Sequence, residues 1–324
     1  MNLMKAIVVR GPTAAEDLKA ERVPIPGVKP GWVLVKVRAF GLNRSEVSLR
    51  TVEAGRPYLT FPRIPGIECV GEVVDPSDSG FATGQRVAAM MGGMGRDFDG
   101  SYAEYALLPI RRLFTVKSRL PWNELAAIPE TYFTAWGSLF QSLRLVPNDC
   151  LLIRGATSAL GQAAAQLARA LGCDVAGTTR RPDRLESLRE VGVTHPLLED
   201  RDLEGRLDAL FPQGVDKILD LVGTTWQHSL GLAATQGIVC QTGILGGDSA
   251  VGDFSPLHTI PNGVCLTAFH SNFPTQKDLD DIFSFMEDHN LRPLKAHDFT
   301  LDQIAEAHRL IEDNQASGKV VITV

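Results

Sequence analysis

A two-part α/β fold is predicted by three observations on this 324-residue chain. In the first third, the runs "KAIVV", "GWVLVKVRAFG", "ECVGEVV", "QRVAAM" and "YAEYALLP" are short and punctuated by Gly and Pro, the spacing of compact β structure. From Trp122 onward, "CLLIRG", "CDVAGTT", "DKILDLVG", "GIVCQTG" and "VCLTAFH" alternate with helical stretches, the pattern of a parallel sheet with crossover helices. These later runs are nearly all apolar, as strands covered on both faces should be. The length exceeds what one ordinary core supports, so two domains or one large α/β unit is expected. The closing "FTLDQIAEAHRLIEDNQASGKVVITV" reads as one amphipathic helix and a final strand able to return to the first domain.

Composition narrows the function classes. With 44% hydrophobic and 22% charged residues the chain has the balance of a soluble globular protein. A net charge of -6 offers no basic field for nucleic acid or acidic lipid, which leaves small molecules as the expected partners. The five cysteines are scattered and form no CxxC pair, so neither a disulfide framework nor a structural zinc lobe is signalled. The start "MNLMKAIVVRGPT" lacks the marks of a signal peptide, and no run approaches ~18 uninterrupted apolar residues. A cytoplasmic protein with free thiols and no membrane contact is expected.

The stretch "GATSALG" follows a strand-like run and opens a helical one. In a dinucleotide site such a turn offers the pyrophosphate free N–H groups and the positive end of a helix. The GxGxxG frame falls on Ala156, Ser158 and Gly161, so only the last glycine is kept. Leu160, Ala163, Ala164, Leu167, Ala168 and Leu171 form a sheet-facing stripe. The context is that of a cofactor loop; an ordinary βα turn remains the alternative. Candidate contacts are Ala156, Thr157, Ser158, Ala159, Leu160 and Gly161, with Ser158 a further hydroxyl donor. A site preferring NAD usually places Asp or Glu after the second strand. Here "DVAGTTRRPDR" puts Thr178, Thr179, Arg180, Arg181 and Arg184 there, donors and cations suited to the 2'-phosphate of NADP(H), if they are not simply a solvated helix start.

The ordered set "MKAIVV", "PGWVLVKVRAFGLNRSEVSLR", "FPRIPGIECVGEVV", "GQRVAAM", "DGSYAEYALLP", "AAIPETYFTAWGSL", "GATSALG", "DLVG" and "GKVVITV" resembles the medium-chain dehydrogenase/reductase superfamily, zinc-independent quinone oxidoreductase branch. The resemblance implies a GroES-like β domain over 1–121 and 292–324, and a Rossmann doubly wound parallel-sheet domain over 122–291. It also implies NADP(H) as cofactor and a homodimer. The zinc alcohol dehydrogenases of this superfamily carry Cys, His, and Cys or an acid where this chain has Asn43, Ile67 and Glu130. An amide and an alkyl group cannot replace a thiolate and an imidazole, so no metal is expected. Glu68 stays without those ligands and reads as a structural carboxylate bonded to backbone or an arginine.

The resemblance also supplies site residues. Asn43 matches the position that contacts nicotinamide or substrate oxygen, or else caps the helix "SEVSLR". Ser45 matches a relay hydroxyl, or else is a helix-start hydroxyl. Thr134 matches a residue near nicotinamide and pyrophosphate, or else is an ordinary helix threonine. Val222, Gly223, Gly243, Ile244 and Leu245 end strands where open α/β sheets bind ligands. Phe269, His270 and Ser271 end the next strand, His270 being equally a surface or core histidine. Lys319 is a cation placed to meet phosphate. The stretch "AAMMGGMGRDFDGSYAEY" is either a pliable Met-lined loop for flat apolar substrates or an irregular loop packed on the core, and its Arg96 could contact a carboxylate or phosphate.

Without a Lewis acid a simple ketone is a hard substrate, whereas quinones and α,β-unsaturated carbonyls yield delocalised anions on taking up hydride. The expected function is NADPH-dependent reduction of quinones or enones. Two alternatives stand: an enoyl-thioester reductase of the same superfamily, and a non-catalytic NADPH-binding sensor or crystallin-like protein.

Overall fold

The strands run, in chain order, β1 (Leu3–Ile7), β2 (Ala20–Pro24), β3 (Trp32–Leu42), β4 (Glu68–Asp75), β5 (Arg86–Met90), β6 (Tyr105–Pro109), β7 (Leu113–Thr115), β8 (Cys150–Arg154), β9 (Asp174–Thr179), β10 (His195–Leu198), β11 (Val215–Asp220), β12 (Ala233–Gln241), β13 (Cys265–Ala268), β14 (Lys295–Thr300) and β15 (Lys319–Thr323). They belong to a computed structural model that describes residues 2–247 and 254–324. The chain divides into two compact units, Met1–Glu130 with Asn272–Glu287 and Arg292–Val324, and Thr131–Ser271 with Asp288–Leu291.

In the first unit, the sheet order is β14-β15-β3-β4-β5-β7, with β6 also paired to β3, and β1-β2 form a separate hairpin. This is the GroES-like β domain, and β15 returns to it by pairing antiparallel with β3. Alternation along β3 turns Val33, Val35 and Val37 into a core shared with Ile7, Phe40, Leu108, Val320 and Ile322. Residues 122–130 and the helix Gln276–Asp288 up to Glu287 group with this unit, although the sequence texture placed them with the parallel sheet. Two contacts explain the grouping. Arg86 lies over the Trp122 ring at 3.6 Å, and the Gln276 side chain bonds the Thr115 N–H and carbonyl at 2.8 and 3.0 Å.

The second unit is a parallel sheet of order β10-β9-β8-β11-β12-β13. Renumbered from β8, the order is the 3-2-1-4-5-6 arrangement of a doubly wound dinucleotide fold, whose ligands sit at the carboxyl ends of the strands around the order reversal. Its core packs Leu152, Ala176, Ile218 and Val239 against Trp226 and Leu230. One strand departs from the expectation of full burial. β13 lies at the sheet edge with Cys265 and Ala268 exposed, because no further strand covers it among the described residues.

Candidate functional site

In the β unit the candidate residues converge from three strands. β3 ends at Leu42, and Asn43 takes the N-cap position of the helix Arg44–Thr51 with extended backbone. Asn43 and Glu46 form a capping box at the start of that helix. The Asn43 Oδ1 also accepts a bond from Lys319 Nζ at 2.6 Å, and its Nδ2 donates to Glu68 Oε1 at 2.9 Å. Lys319 Nζ also donates to Glu68 Oε1 at 2.6 Å, and Glu68 Oε2 accepts the Glu130 N–H at 2.9 Å. Lys319 and Glu68 are 1% and 0% exposed.

These contacts correct two expectations. Lys319 is not a surface cation for phosphate: its side chain runs inward, past Gly41, to a buried carboxylate. A Cβ at Gly41 would overlap Lys319 Cε and Glu68 Oε1, so glycine is what admits the lysine. Glu68 is held by backbone as expected, but its cationic partner is this lysine and not an arginine.

Beneath Asn43, the buried Glu46 carboxylate accepts the Asn43 N–H and the Ile67 N–H, each at 3.0 Å. Burial pushes its acid up to about 7 and the Glu68 charge adds to the rise, while the Ile67 N–H and Lys319 oppose it. Ser45 Oγ accepts from Arg96 at 3.0 Å. Arg96 is itself bound bidentately by Glu53 at 2.6 and 2.8 Å, so its guanidinium is committed within the unit and not presented to a substrate. Burial opposes the Arg96 charge, but bonding to Glu53 outweighs it and raises the pKa. The glycine- and methionine-rich loop is packed on the core: Met90 and Met94 are buried, and Gly95 and Gly100 lie against the backbone at Pro65 and Gly66.

This donor set does not fit a metal. Ile67 has no donor atom, and the Glu68 oxygen nearest Asn43 is already bound by an ammonium. Burial, then the Glu68 charge, pushes the neighbouring Cys69 thiol to about 12, far from the thiolate a metal would need. Among the described residues no group of three or more His, Cys, Asp or Glu could hold a metal ion.

In the parallel-sheet unit the expected cofactor turn is built chiefly from backbone. Gly155 turns the chain at φ 84°, and the Ala156 N–H bonds the Thr178 carbonyl at 3.0 Å. Ser158 is the N-cap of the helix Ala159–Leu171: its Oγ accepts the Gly161 N–H at 3.0 Å and donates to the Gly155 carbonyl at 2.9 Å. A Cβ at Gly161 would stand 2.7 Å from Ala156 Cα and the Gly155 carbonyl, which is why this glycine is kept. The glycine missing at position 156 has a counterpart one strand away. Ala156 is fully buried, and a Cβ at Gly177 would lie 2.9 Å from its methyl, so Gly177 makes the room. The helix start leaves its first N–H groups without intrahelical acceptors, and Thr157, Ala159 and Leu160 are partly exposed around it. The turn therefore fits a pyrophosphate.

Four expected contacts play other parts. Ala156 and Thr178 are buried and shape the turn from beneath, Thr178 Oγ1 accepting from the Gly155 N–H at 3.3 Å. The Ser158 hydroxyl donates inside the turn, not outward. Thr179 is buried too, and its Oγ1 accepts the Arg181 N–H at 3.1 Å. Arg180 is exposed and makes no hydrogen bond or ion pair among the described residues, whereas Arg181 pairs with Asp183 at 2.6 Å. Burial, then repulsion from Arg181, lowers the Arg184 pKa.

The remaining strand ends differ in character. Val222 and Gly223 donate their N–H groups to the buried Asp220 carboxylate at 2.9 and 3.0 Å. Gly243 lies against the Leu221 backbone, while Ile244 and Leu245 present exposed apolar side chains. Phe269 fills the space where a Cβ of Gly137 would be and packs edge-on against Phe133 at 5.7 Å. His270 is exposed, Ser271 is buried, and the buried Thr134 accepts the Ser138 hydroxyl on its carbonyl at 2.7 Å.

Sequence reasoning missed a buried polar network under this turn. Arg154, 2% exposed, pairs with Glu199 and donates to the Thr225 carbonyl and Ser229 Oγ at 3.2 and 3.0 Å. Ser229 Oγ donates in turn to Asp220 at 2.7 Å. The signal was present: single charges end the apolar runs "CLLIR" and "KILD", and Arg154 and Asp220 are register partners on β8 and β11.

Comparison with known proteins agrees with this architecture. Residues 29–118 match the alcohol dehydrogenase GroES-like domain, and residues 159–288 match the zinc-binding dehydrogenase family. The chain is similar to the quinone oxidoreductase of Pongo abelii, 29% identical over 99% of this chain and 98% of that protein. The Homo sapiens quinone oxidoreductase is 28% identical with the same coverage. A solved NAD-dependent alcohol dehydrogenase is 27% identical with a TM-score of 0.87, covering 99% of this chain and 100% of the other. Matched in both units and nearly end to end, the chain belongs to the medium-chain dehydrogenase/reductase superfamily of oxidoreductases, in its quinone oxidoreductase branch.

Proposed function

We propose that this oxidoreductase uses NADPH to reduce quinones or α,β-unsaturated carbonyls without a metal. Membership of the superfamily implies a nicotinamide cofactor and a small-molecule substrate. The observation that carries the reading is the donor set Asn43, Ile67 and Glu130, which leaves a carboxamide where a metal-polarised carbonyl chemistry would need thiolate and imidazole. A hydrogen-bond donor suffices for an acceptor whose incoming charge is delocalised, and a carboxamide is such a donor. The choice of NADPH rests on Arg180, exposed and unpaired among the described residues, beside Arg184.

A bound nicotinamide supplies hydride and the two electrons that travel with it. The chain's own part is to hold the pyrophosphate at the turn Gly155–Gly161, the 2'-phosphate by Arg180 and Arg184, and the acceptor oxygen by Asn43 Nδ2. Among the tyrosines, Tyr102 and Tyr132 are buried, Tyr102 bonded to His308 and Tyr132 to Gln166, and the exposed Tyr58 donates to Glu53; the reading assigns protonation of the product to water. The same reading places the protein in the cytoplasm as a homodimer; among the described residues no helix is long and apolar enough to cross a membrane.

Initial rates of NADPH and NADH oxidation with a panel of quinones and enones test the proposal. Turnover with NADPH preferred is the expected result. Tight NADPH binding with no turnover of any acceptor would favour the sensor reading, and turnover confined to enoyl thioesters would favour the enoyl reductase.

A further inference from the structure

A buried ammonium among a carboxylate and a carboxamide is an expensive arrangement, and the chain gives up a side chain at Gly41 to admit it. We infer that Lys319, held by Glu68 and admitted past Gly41, is a positioning residue that orients and polarises the Asn43 carboxamide as donor to the acceptor oxygen, an assignment that rests on the reductase reading above. A carboxamide is nearly symmetric in shape, so its neighbours decide which end is oxygen. Lys319 has only donors and must face Oδ1; the Glu68 carboxylate only accepts and must face Nδ2. A flipped amide would set NH₂ against the ammonium and oxygen against the carboxylate, so the orientation is specified at both ends.

The Asn43 nitrogen carries two hydrogens. One goes to Glu68, and among the described residues the other meets only the Gly41 carbonyl at 3.4 Å, beyond the usual N–H···O range. That second N–H is the one left for a ligand. A charge-assisted bond into Oδ1 draws electron density from the amide and strengthens the N–H groups at its other end. When an enone takes hydride at its β-carbon, the C=C pair becomes the enolate C=C bond and the carbonyl π pair moves onto oxygen; the hydride's two electrons are lost by the nicotinamide, and the enolate α-carbon then takes a proton from water. Asn43 Nδ2 stabilises the charge on that oxygen, and Lys319 makes it a better donor without touching the substrate.

The double variant Lys319→Met/Glu68→Gln tests this, because it removes both buried charges together and leaves no unpaired ion. A merely structural pair would allow the folded double variant to turn over like the wild type. The expected result is a kcat lowered about tenfold to a hundredfold, within the range of weakening an oxyanion donor, with NADPH affinity changed less than about twofold, since the turn at Gly155–Gly161 is untouched. The second readout is independent of activity. In protein labelled with ¹⁵N-asparagine, the Asn43 Nδ2 proton pair, assigned by its loss in Asn43→Asp, moves upfield in the double variant. Should that variant fail to fold, Gly41→Ala keeps both charges and displaces the lysine, with the same two effects expected. A folded variant with wild-type kcat, or an Asn43 proton pair that does not move, overturns the inference. If the wild type reduces no quinone or enone, the reductase reading falls on its own, and the proton pair still decides whether Lys319 orients the amide.

Discussion

The two candidate regions of this chain are made of different material. In the β unit the candidate site is built of side chains brought from β3, β4 and β15, with Asn43 bound by Lys319 and Glu68. In the parallel-sheet unit the turn after β8 is mostly backbone, shaped by where a Cβ is missing at Gly161 and Gly177. A side-chain site is sensitive to charge balance and tolerant of shape. A backbone site is sensitive to single methyl groups and tolerant of most outward side chains.

Arg154 is where this contrast is weakest, since it puts a buried charge beneath the backbone turn. Arg154→Met leaves Glu199 without its cation and should cost about 3–5 kcal/mol, the largest effect expected here. Chemical denaturation measures it, and a loss below about 1 kcal/mol would show the pair to be screened like a surface one. Gly161→Ala comes next. In an exposed helix interior Ala would gain about 1 kcal/mol over Gly, but here the new methyl meets backbone atoms at 2.7 Å. A loss of about 1–3 kcal/mol is expected instead, with weaker NADPH binding in a fluorescence titration. A gain in stability would refute the close-packing account of the turn.

Replacing Arg180 and Arg184 together by Ala sharpens the contrast through the cofactor. Charged hydrogen bonds are worth about 1.5–3 kcal/mol, so NADPH affinity should fall about tenfold to a hundredfold while NADH affinity stays. Equal losses for both cofactors would remove these arginines from 2'-phosphate recognition.

Two buried groups of the β unit add a pH dependence. Glu46 has its folded pKa raised from 4.5 to about 7, so the stability it contributes is present below pH 4.5 and is lost as pH rises through 7. His308 is the opposite case. Burial, then Arg50, depresses it from 6.5 to about 3, so its contribution is present above pH 6.5 and is lost as pH falls towards 3. Compared with Glu46→Gln, the wild type should lose stability between pH 4.5 and 7, as read by denaturation at several pH values. Parallel curves would mean that Glu46 is already ionised in the folded chain.

How much of this was legible in the sequence differs between the regions for the same physical reason. The parallel sheet and its turn could be read because strand–turn–helix alternation and a local frame of small residues sit within about twenty positions. Even there, the role of Gly177 was hidden, since it depends on which strand lies beside the turn. In the β unit, Asn43 could be singled out by its resemblance to a family position, but its partners could not. Lys319 lies 276 positions away, and only the antiparallel pairing of β15 with β3 turns it towards Gly41. A lysine near a chain end reads as a solvated cation until that pairing is known. The Arg154 network was missed although its charges break apolar runs, because a charge at a strand end is usually a solvated one.

The central claim is that a carboxamide, not a metal, receives the charge on the acceptor oxygen. The most direct measurement compares kcat for quinone or enone reduction in chelator-treated wild type and in Asn43→Ala at saturating NADPH. The account expects the treated wild type to keep its full rate and Asn43→Ala to lose about a hundredfold or more, as when one oxyanion donor is removed. A wild-type rate abolished by chelation and restored by zinc, with Asn43→Ala unaffected, would contradict it.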